Sequence, residues 1–271
     1  MKYDNSVIEN LLVNFLRNET NRIGIKKAVL GLSGGIDSAV SAYLSARAFG
    51  PENVLCVMMP YKTSSKSSLT DAEKIISALG VRSKKVDISP MVDAYLNSLQ
   101  GDVSNLRKGN VMARMRMIVL YDESANENAL VIGTGNKTEI LLGYTTLWGD
   151  SACGINPVGD LYKTQVFDLA KHLGVPQEVI NKKPSADLWE GQTDEGEMGI
   201  TYANVDKYLF EKIDERKSEE ELLKMGFDKS FMDKVNSMIV RNQFKRVPPL
   251  IAKVSNRTVN VDFRYNRDWN T

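Results

Sequence analysis

The spacing of apolar residues changes repeatedly along the first half of the chain. Short, nearly unbroken apolar runs, typical of buried strands, occupy residues 27–32, 54–59 and 129–132, and a further strand is predicted over 81–86, where Val81 and Val86 flank four polar residues. Around these runs, helical spacing predicts helices over 7–16, 39–49, 90–99 and 105–123, and a capping-box pattern at 70–73 predicts the start of another. Beyond about Gly154 the strand pattern fades, and helices are predicted at 163–173, 204–212, 219–225 and 228–244.

Strands that alternate with helices predict a parallel sheet with helices on both faces. We therefore expect an α/β fold with a doubly wound, mostly parallel sheet and a helical C-terminal part. The Ser- and Lys-rich segment 60–68 is predicted to be a mobile loop. No linker composition divides the chain, so a single domain over 1–271 is expected. In such folds, ligands bind beyond the carboxyl ends of the strands.

The composition argues against several classes of protein. The net charge is +1 over 271 residues, whereas proteins that track nucleic-acid phosphates carry a strong basic excess. His172 is the single histidine, which argues against a His-ligated zinc site and a Ser-His-Asp triad, and we expect it at the surface. Cys56 lies in an apolar run and is expected to be buried. No stretch approaches the roughly 20 apolar residues of a membrane span, so we expect no membrane partner and a cytoplasmic location.

The motif Ser-Gly-Gly-Ile-Asp-Ser at 33–38 directly follows the first predicted strand. Its glycines let the backbone turn tightly, and successive N–H groups at a helix start bind anions. Asp37 would repel a bound phosphate, but a bridging Mg²⁺ removes the conflict because it takes carboxylate and phosphate oxygens together. The motif matches neither a Walker A loop nor the dinucleotide Gly-x-Gly-x-x-Gly pattern. A generic glycine pair would favour a simple turn with Asp37 as a helix cap, but the full motif after a buried strand is much more specific.

This motif resembles the pyrophosphate-binding loop of the ATP pyrophosphatases, which have an adenine nucleotide α-hydrolase-like fold and split ATP into AMP and pyrophosphate. The resemblance implies that ATP contacts Gly31, Leu32, Ser33, Gly34, Gly35, Ile36, Asp37 and Ser38.

The segment Gly-Thr-Gly-Asn-Lys-Thr-Glu at 133–139 is similar to a segment of the NAD synthetases. The resemblance implies that Thr134 contacts ATP and that Glu139 holds Mg²⁺ together with Asp37. The resemblance also covers Lys163 and Ser185. It implies that Lys163 contacts a phosphate and that the Ser185 hydroxyl lies on the ATP side of the site. Taken alone, Glu139 and Lys163 would be ordinary solvent-facing helix residues.

The resemblance covers about 25–250, which leaves 251–271 unassigned. Arg114 and Lys245 match positions that contact deamido-NAD in this family. The chain departs from many ammonia-dependent members at three places: Leu147-Trp148 replaces a lysine, Gly154 an aspartate and Phe244 a histidine. The family works as homodimers, so a homodimer is expected.

The resemblance implies ATP-dependent amidation of deamido-NAD by ammonia through an adenylated intermediate, giving NAD, AMP and pyrophosphate. No glutamine amidase pattern precedes Ser33, so free ammonia or a separate partner is the expected nitrogen source. Asp150 is our hypothesis for the group that accepts the ammonium proton or orients the nucleophile or metal. With Asp37 and Lys163 it completes the predicted catalytic set.

Three questions stay open from the sequence. Residues 190–199 form either a lid over the substrate or a plain exposed loop. The chain could be another ATP pyrophosphatase, such as a GMP synthetase-type amidating unit. It could also be a non-catalytic, ATP-binding regulator on the same fold.

Overall fold

The computed structural model describes residues 3–185, 187, 193–259 and 261–263. The strands are β1 (Lys27–Gly31), β2 (Val54–Met58), β3 (Arg82–Lys85) and β4 (Ala129–Val131). The helices before β4 are α1 (Asn5–Arg22), α2 (Ile36–Phe49), α3 (Lys66–Leu79), α4 (Ser89–Asn97) and α5 (Asn105–Glu127). Those after β4 are α6 (Lys137–Leu142), α7 (Lys163–Leu173), α8 (Gln177–Asn181), α9 (Asp194–Met198), α10 (Tyr202–Leu209), α11 (Glu219–Lys224) and α12 (Lys229–Arg241).

The four strands form one parallel sheet in the order β3-β2-β1-β4. Helix α2 joins β1 to β2 and α3 joins β2 to β3, after which the chain crosses to the other side of β1 and forms β4. A parallel bridge between Ile132 and Ile155 extends this edge. The strand order therefore reverses between β1 and β4, which is where open α/β sheets bind ligands. The predicted fold class and the four predicted strands are confirmed.

Alternate residues of the central strands enter different apolar layers on the two faces of the sheet. On β1, Leu30 packs in a layer with α1, α2 and α7, whereas Val29 packs in a layer with α4 and α5. On β2, Cys56 belongs to the first layer and Val57 to the second. Cys56 is fully buried, as predicted, and burial raises the pKa of its thiol to about 12. Both faces of the sheet are thus covered, which the doubly wound pattern requires.

A third apolar cluster is built by the C-terminal helices. The Tyr208 ring on α10 meets the rings of Phe227 and Phe231 edge-on, at centroid distances of 5.4 and 5.5 Å. Leu142 of α6 and Tyr162, which precedes α7, belong to the same cluster. The C-terminal helices therefore pack directly against the two helices that follow β4.

An ion-pair cluster ties the exposed edge strand β3 to the end of α5. Arg82 donates two hydrogen bonds to the Glu127 carboxylate, at 2.8 and 2.6 Å, and Lys27 Nζ lies 3.3 Å from the same group. The hydrogen bonds from Arg82, with help from Lys27, lower the pKa of Glu127 to about 2. This cluster therefore links β3 and β1 to the end of α5.

Several predicted boundaries differ from the structure, among them the start of α3 and the end of α12. Helix α3 begins at Lys66 with Ser65 as its N-cap, whose hydroxyl accepts a hydrogen bond from the Ser68 N–H at 3.1 Å. The capping box predicted at 70–73 therefore lies inside the helix, and the predicted loop at 60–68 becomes helical from Lys66. The Asp187 carboxylate, which is distant in sequence, accepts a further hydrogen bond from the Ser65 N–H at 3.0 Å. Helix α12 ends at Arg241, whereas the predicted helix ran to residue 244. A short 3₁₀ turn follows α12.

His172 lies at the surface, as predicted, where its Nε2 is 2.8 Å from a Glu9 carboxylate oxygen. Within the described residues, no helix is both long and apolar enough to cross a membrane. The cytoplasmic location and the single-domain organisation stay predictions.

Candidate active site

One cavity of about 720 Å³ opens at the carboxyl ends of β1, β2 and β4. Its wall contains all the predicted site residues other than Gly34: Gly31, Leu32, Ser33, Gly35, Ile36, Asp37, Ser38, Arg114, Thr134, Glu139, Asp150, Lys163, Ser185 and Lys245. Residues far apart in the sequence therefore converge on the switch point of the sheet.

The loop at 32–35 makes the tight turn from β1 into α2. Gly34 has a φ of +78°, and a Cβ at this position would lie 2.2 Å from the Ser68 carbonyl oxygen. A side chain there would meet backbone in a strained conformation, so the turn requires glycine. The hydroxyls of Ser33 and Ser38 lie 3.1 Å apart, and Ser38 also accepts a hydrogen bond from the Ser33 N–H at 3.3 Å. These contacts hold the turn in shape.

The start of α2 is open to an anionic ligand. Gly35 is the N-cap and has no side chain to cap the N–H groups of the first helical turn, while its own N–H donates to the Ser33 hydroxyl at 3.2 Å. Such groups, at the positive end of the helix dipole, suit a phosphate. Asp37 does not cap this helix, so the simple turn is not the explanation of the motif. Its carboxylate instead contacts Asn136 and Lys163.

Lys163, the first residue of α7, contacts two carboxylates. Its Nζ lies 2.5 Å from Asp37 Oδ2 and 3.4 Å from Glu139 Oε1. Asn136 donates a hydrogen bond to the other Asp37 oxygen at 2.9 Å and forms a capping box with Glu139. Lys163 is only 2% exposed. Three charged side chains are thus held together in a volume largely removed from water.

Burial and mutual charge set the protonation of this cluster. Burial acts to raise the pKa of Glu139, with Asp37 and Asp194 acting in the same direction, whereas the cation of Lys163 acts to lower it. Burial acts to lower the pKa of Lys163, but Asp37 and Glu139 outweigh it and the net shift is upward. Lys163 therefore stays cationic. Asp194 is itself buried and accepts a hydrogen bond from the Tyr202 hydroxyl at 3.1 Å.

The donor set around Lys163 fits a hard cation. Asp37 and Glu139 supply carboxylate oxygens, the ligands that Mg²⁺ prefers, and both approach one point because both contact the same ammonium nitrogen. In the described ranges, no group of three or more His, Cys, Asp or Glu side chains could enclose a metal by itself. Mg²⁺ is often bound by one or two carboxylates with phosphate oxygens and water. These residues therefore fit an ion whose coordination a bound nucleotide completes.

Asp150 and Lys245 line the same cavity. Asp150 Oδ1 accepts a hydrogen bond from the Thr146 N–H at 2.8 Å, and the residue is accessible to solvent within the cavity. Enclosure by the surrounding protein raises the pKa of Asp150, although Thr146 and Lys245 oppose the rise. Lys245 Nζ donates to the backbone oxygens of Gly143 and Thr145 at 2.6 and 2.7 Å. It therefore fixes the turn that follows α6.

Arg116 is a cavity residue that the sequence interpretation missed. Its Nε donates to the Met59 carbonyl oxygen at 3.1 Å, and burial lowers its pKa. Across the described part of the chain it forms no ion pair, so the guanidinium is suited to an anionic ligand. Arg114, exposed at the cavity wall, donates to the Leu147 carbonyl oxygen at 3.2 Å. The Arg-x-Arg spacing was a weak signal, because residues two apart on a helix do not share a face.

Asn136 and Asp194 were also missed. The Asn-x-x-Glu pattern at 136–139 is a recognisable capping box, but nothing local shows that Asn136 contacts Asp37. Asp194 belongs to the segment interpreted as either lid or exposed loop. From residue 193 onward this segment contains α9, in which Asp194 and Met198 are buried, so its described part is not a plain exposed loop.

The second ATP-side loop is described in part. Ser185 lines the cavity and accepts a hydrogen bond from the Asp187 N–H at 3.1 Å. Residues 186 and 188–192, which belong to this loop and to the predicted lid, lie outside the described residues.

Comparisons with known proteins agree with this geometry. A model of the NAD synthase family matches residues 8–249. The chain is 54% identical over 264 residues to the NH(3)-dependent NAD(+) synthetase of Chlorobium phaeobacteroides (strain BS1), covering 97% of this chain and 95% of that protein.

Solved structures are also similar. The NH3-dependent NAD synthetase from Campylobacter jejuni, in complex with nitrate, has a TM-score of 0.79 and 35% identity, covering 93% of this chain and 100% of that one. The NMN synthetase from Francisella tularensis has a TM-score of 0.84 and 35% identity, covering 93% of this chain and 99% of that one.

A parallel sheet that presents a Ser-Gly-Gly-x-Asp-Ser turn at its switch point is the arrangement of the adenine nucleotide α-hydrolase-like enzymes, and this chain is one of them. Within that class, the chain belongs to the NAD synthase family. The predicted family and the predicted enzyme class, a ligase with ATP as co-substrate, are confirmed. The comparisons favour NAD synthesis over a GMP synthetase-type unit or an ATP-binding regulator.

Proposed function

We propose that this protein converts deamido-NAD, ATP and ammonia into NAD, AMP and pyrophosphate. The observation that carries the proposal is the convergence of the 33–38 turn with Asp37, Glu139 and Lys163 in one cavity. Relatives named for NH3-dependent NAD synthesis support the choice of product and nitrogen source.

The nicotinate carboxylate needs activation, because a carboxylate resists nucleophiles and lacks a good leaving group. One of its oxygens attacks the α-phosphorus of ATP, the bond from that phosphorus to the β-bridging oxygen breaks, and pyrophosphate leaves. Ammonia then attacks the carboxyl carbon of the adenylate, forms the amide bond, loses a proton and displaces AMP. Both steps gain mainly from positioning and from stabilisation of developing negative charge.

The pyrophosphate leaves into the 33–38 turn, where the N–H groups at the start of α2 and the hydroxyls of Ser33 and Ser38 receive it. Lys163 adds a permanent positive charge beside this position. Mg²⁺ held by Asp37 and Glu139 would supply further charge neutralisation when bound. Thr134, Ser185 and the residues 31–32 complete the proposed ATP contacts along the same wall.

The dinucleotide is assigned to the part of the cavity lined by Arg114, Lys245 and Asp150. Arg116 is a further candidate for an anionic group of either substrate, since no carboxylate among the described residues pairs with it. Asp150 is proposed to take a proton from the attacking nitrogen. Its accessibility inside the cavity, and the enclosure that raises its pKa, support that role.

A homodimer is part of the proposal. Helix α5, which carries Arg114, exposes the apolar side chains of Leu106, Ile118 and Tyr121 by 65%, 50% and 43%. Exposed apolar side chains on this helix support an interface between two copies next to the dinucleotide site. Light scattering at micromolar concentration should give twice the mass of the chain, and a monomer would contradict this part.

The experiment for the reaction is product analysis with ATP, Mg²⁺, deamido-NAD and ammonium, omitting each in turn. Equal amounts of NAD, AMP and pyrophosphate are expected, with no continued turnover when any substrate is absent. AMP without NAD would indicate another acceptor. No AMP at all would favour the regulator. A parallel reaction with nicotinate mononucleotide tests whether this smaller molecule also serves as the acceptor, because one structural relative is named an NMN synthetase.

A further inference from the structure

Asp206, on α10, is fully buried and contacts the first turns of two other helices. Its Oδ1 accepts a hydrogen bond from the Thr138 hydroxyl at 2.6 Å, and its Oδ2 accepts one from the Thr164 N–H at 2.7 Å. Thr138 is the second residue of α6 and Thr164 the second residue of α7. One carboxylate therefore joins the N-terminal ends of both helices.

Thr138 completes the connection. Its hydroxyl oxygen accepts a hydrogen bond from the Lys163 N–H at 3.0 Å while its proton is donated to Asp206. A hydroxyl has one donor and two acceptor sites, so both contacts can exist together. The side chain is fully buried, and no water is needed to explain either bond. The chain of contacts runs from Asp206 through Thr138 to the backbone of Lys163.

The two helices joined in this way carry opposite charges of the active-site cluster. Glu139 follows Thr138 on α6, and Lys163 is the residue whose backbone Thr138 contacts. A shift of either helix along its axis would change the distances from Lys163 Nζ to Glu139 and to Asp37, now 3.4 and 2.5 Å. Asp206 itself does not line the cavity wall, so it acts only through these neighbours.

We propose that Asp206 and Thr138 form a positioning pair that sets the spacing of Glu139 and Lys163 for the reaction. The pair touches no substrate. It rests on the proposed function, because spacing of these two groups matters only if they serve a common chemical step. Misplacement of catalytic groups by about 1 Å can reduce a rate by up to a hundredfold without abolishing binding.

The test compares substitutions that remove the connection with substitutions that keep it. Thr138→Val keeps the shape but removes the hydroxyl, whereas Thr138→Ser keeps the hydroxyl. Asp206→Asn keeps the size but replaces one acceptor oxygen with a donor group. Tyr208→Phe is the matched control: it removes a hydrogen bond to Asn236, at 2.9 Å, from the same helix α10 without reaching α6 or α7.

Steady-state NAD formation is measured for the full-length variants, with kcat corrected for the folded fraction from circular dichroism. Thr138→Val and Asp206→Asn should lower kcat by roughly tenfold or more, while KM for deamido-NAD changes by less than about threefold. Thr138→Ser and Tyr208→Phe should keep kcat within about twofold of the wild type.

Three results would overturn the proposal: a wild-type kcat in Thr138→Val, an equal loss in Thr138→Ser, or a loss that merely follows the folded fraction. The same kcat loss in Tyr208→Phe would also overturn it, because any disturbance of α10 would then suffice. A wild-type protein that makes no NAD would overturn the proposed function instead, and with it this role.

Discussion

The ammonium nitrogen of Lys163 lies 2.5 Å from Asp37 Oδ2, across a separation of 126 residues. The contact joins the start of α7 to the first turn of α2, at the point where the strand order of the sheet reverses. Glu139 approaches the same nitrogen from α6, at 3.4 Å. Because Lys163 is nearly fully buried, its charge is needed both for the integrity of the cluster and for the chemistry proposed there.

Replacement of Lys163 by Met should therefore affect activity and stability together. Loss of the cation leaves two partly buried carboxylates facing each other, at a cost of about 3 kcal/mol in the free energy of unfolding. The kcat/KM for NAD formation should fall at least about a hundredfold. Urea unfolding and product assays measure the two effects.

The control for this substitution is Lys171→Met on the same helix. Lys171 is exposed and lies 3.7 Å from Asp168 in an i,i+3 pair, so its removal should change neither quantity. If the two variants behaved alike, the buried cluster would not have the importance assigned to it.

Substitutions at two glycines with positive φ can distinguish the cost of backbone strain from the cost of a steric clash with a neighbouring residue. Gly34 (φ +78°) would place a Cβ 2.2 Å from the Ser68 carbonyl oxygen, whereas Gly80 (φ +65°) has no atom within 4 Å of that position. Gly80→Ala should cost about 1 kcal/mol of stability, from strain alone, and leave ATP binding unchanged. Gly34→Ala should in addition abolish ATP binding measured by calorimetry. Intact ATP binding in Gly34→Ala would contradict the role of the turn.

Asp150→Asn should separate the two chemical steps. The amide oxygen can still accept the hydrogen bond from the Thr146 N–H, so the local turn is preserved, but the side chain can no longer take a proton. Adenylate formation should continue. It is measured by the exchange of labelled pyrophosphate into ATP. Amide formation should slow by roughly a hundredfold. Equal loss of both steps would argue for a role in binding or metal orientation instead.

The Arg82–Glu127 cluster should give the protein an acid-sensitive contribution to stability. The folded-state pKa of Glu127, about 2, lies below the ordinary value of 4.5, so the contribution is complete above pH 4.5 and is lost as the pH falls towards 2. Because the cations are partly exposed, the gain at pH 7 should be about 1 kcal/mol.

Glu127→Gln should lower stability at pH 7 and flatten its decline between pH 4.5 and pH 2, both measured by urea unfolding. Glu178→Gln provides the comparison, because Glu178 pairs with Lys74 in an exposed contact. This substitution should change stability little, both at pH 7 and between pH 4.5 and pH 2. An unchanged pH profile in Glu127→Gln would show that Arg82 and Lys27 do not stabilise the folded state through this carboxylate.

Much of the fold and part of the site could be predicted from local sequence patterns. The apolar runs predicted β1, β2 and β4 because a buried strand needs little more than consecutive apolar residues, whereas the exposed strand β3 was predicted without such a run. The Ser-Gly-Gly-Ile-Asp-Ser motif predicted the anion-binding turn because Gly34 is required by a backbone conformation within the motif and its close approach to Ser68. Resemblance of the segments around Thr134, Glu139 and Lys163 identified the family, which the comparisons confirm.

Other features were decided only by the tertiary structure. Asp187 contacts the start of α3, burial raises the pKa of Glu139, and Asp206 contacts both α6 and α7. Arg116 enters the cavity because of how α5 packs against β1 and β4. A sequence specifies which groups can donate, accept or carry charge within a few residues. Which of them meet, and how much water remains between them, is set by packing between segments that no local pattern connects.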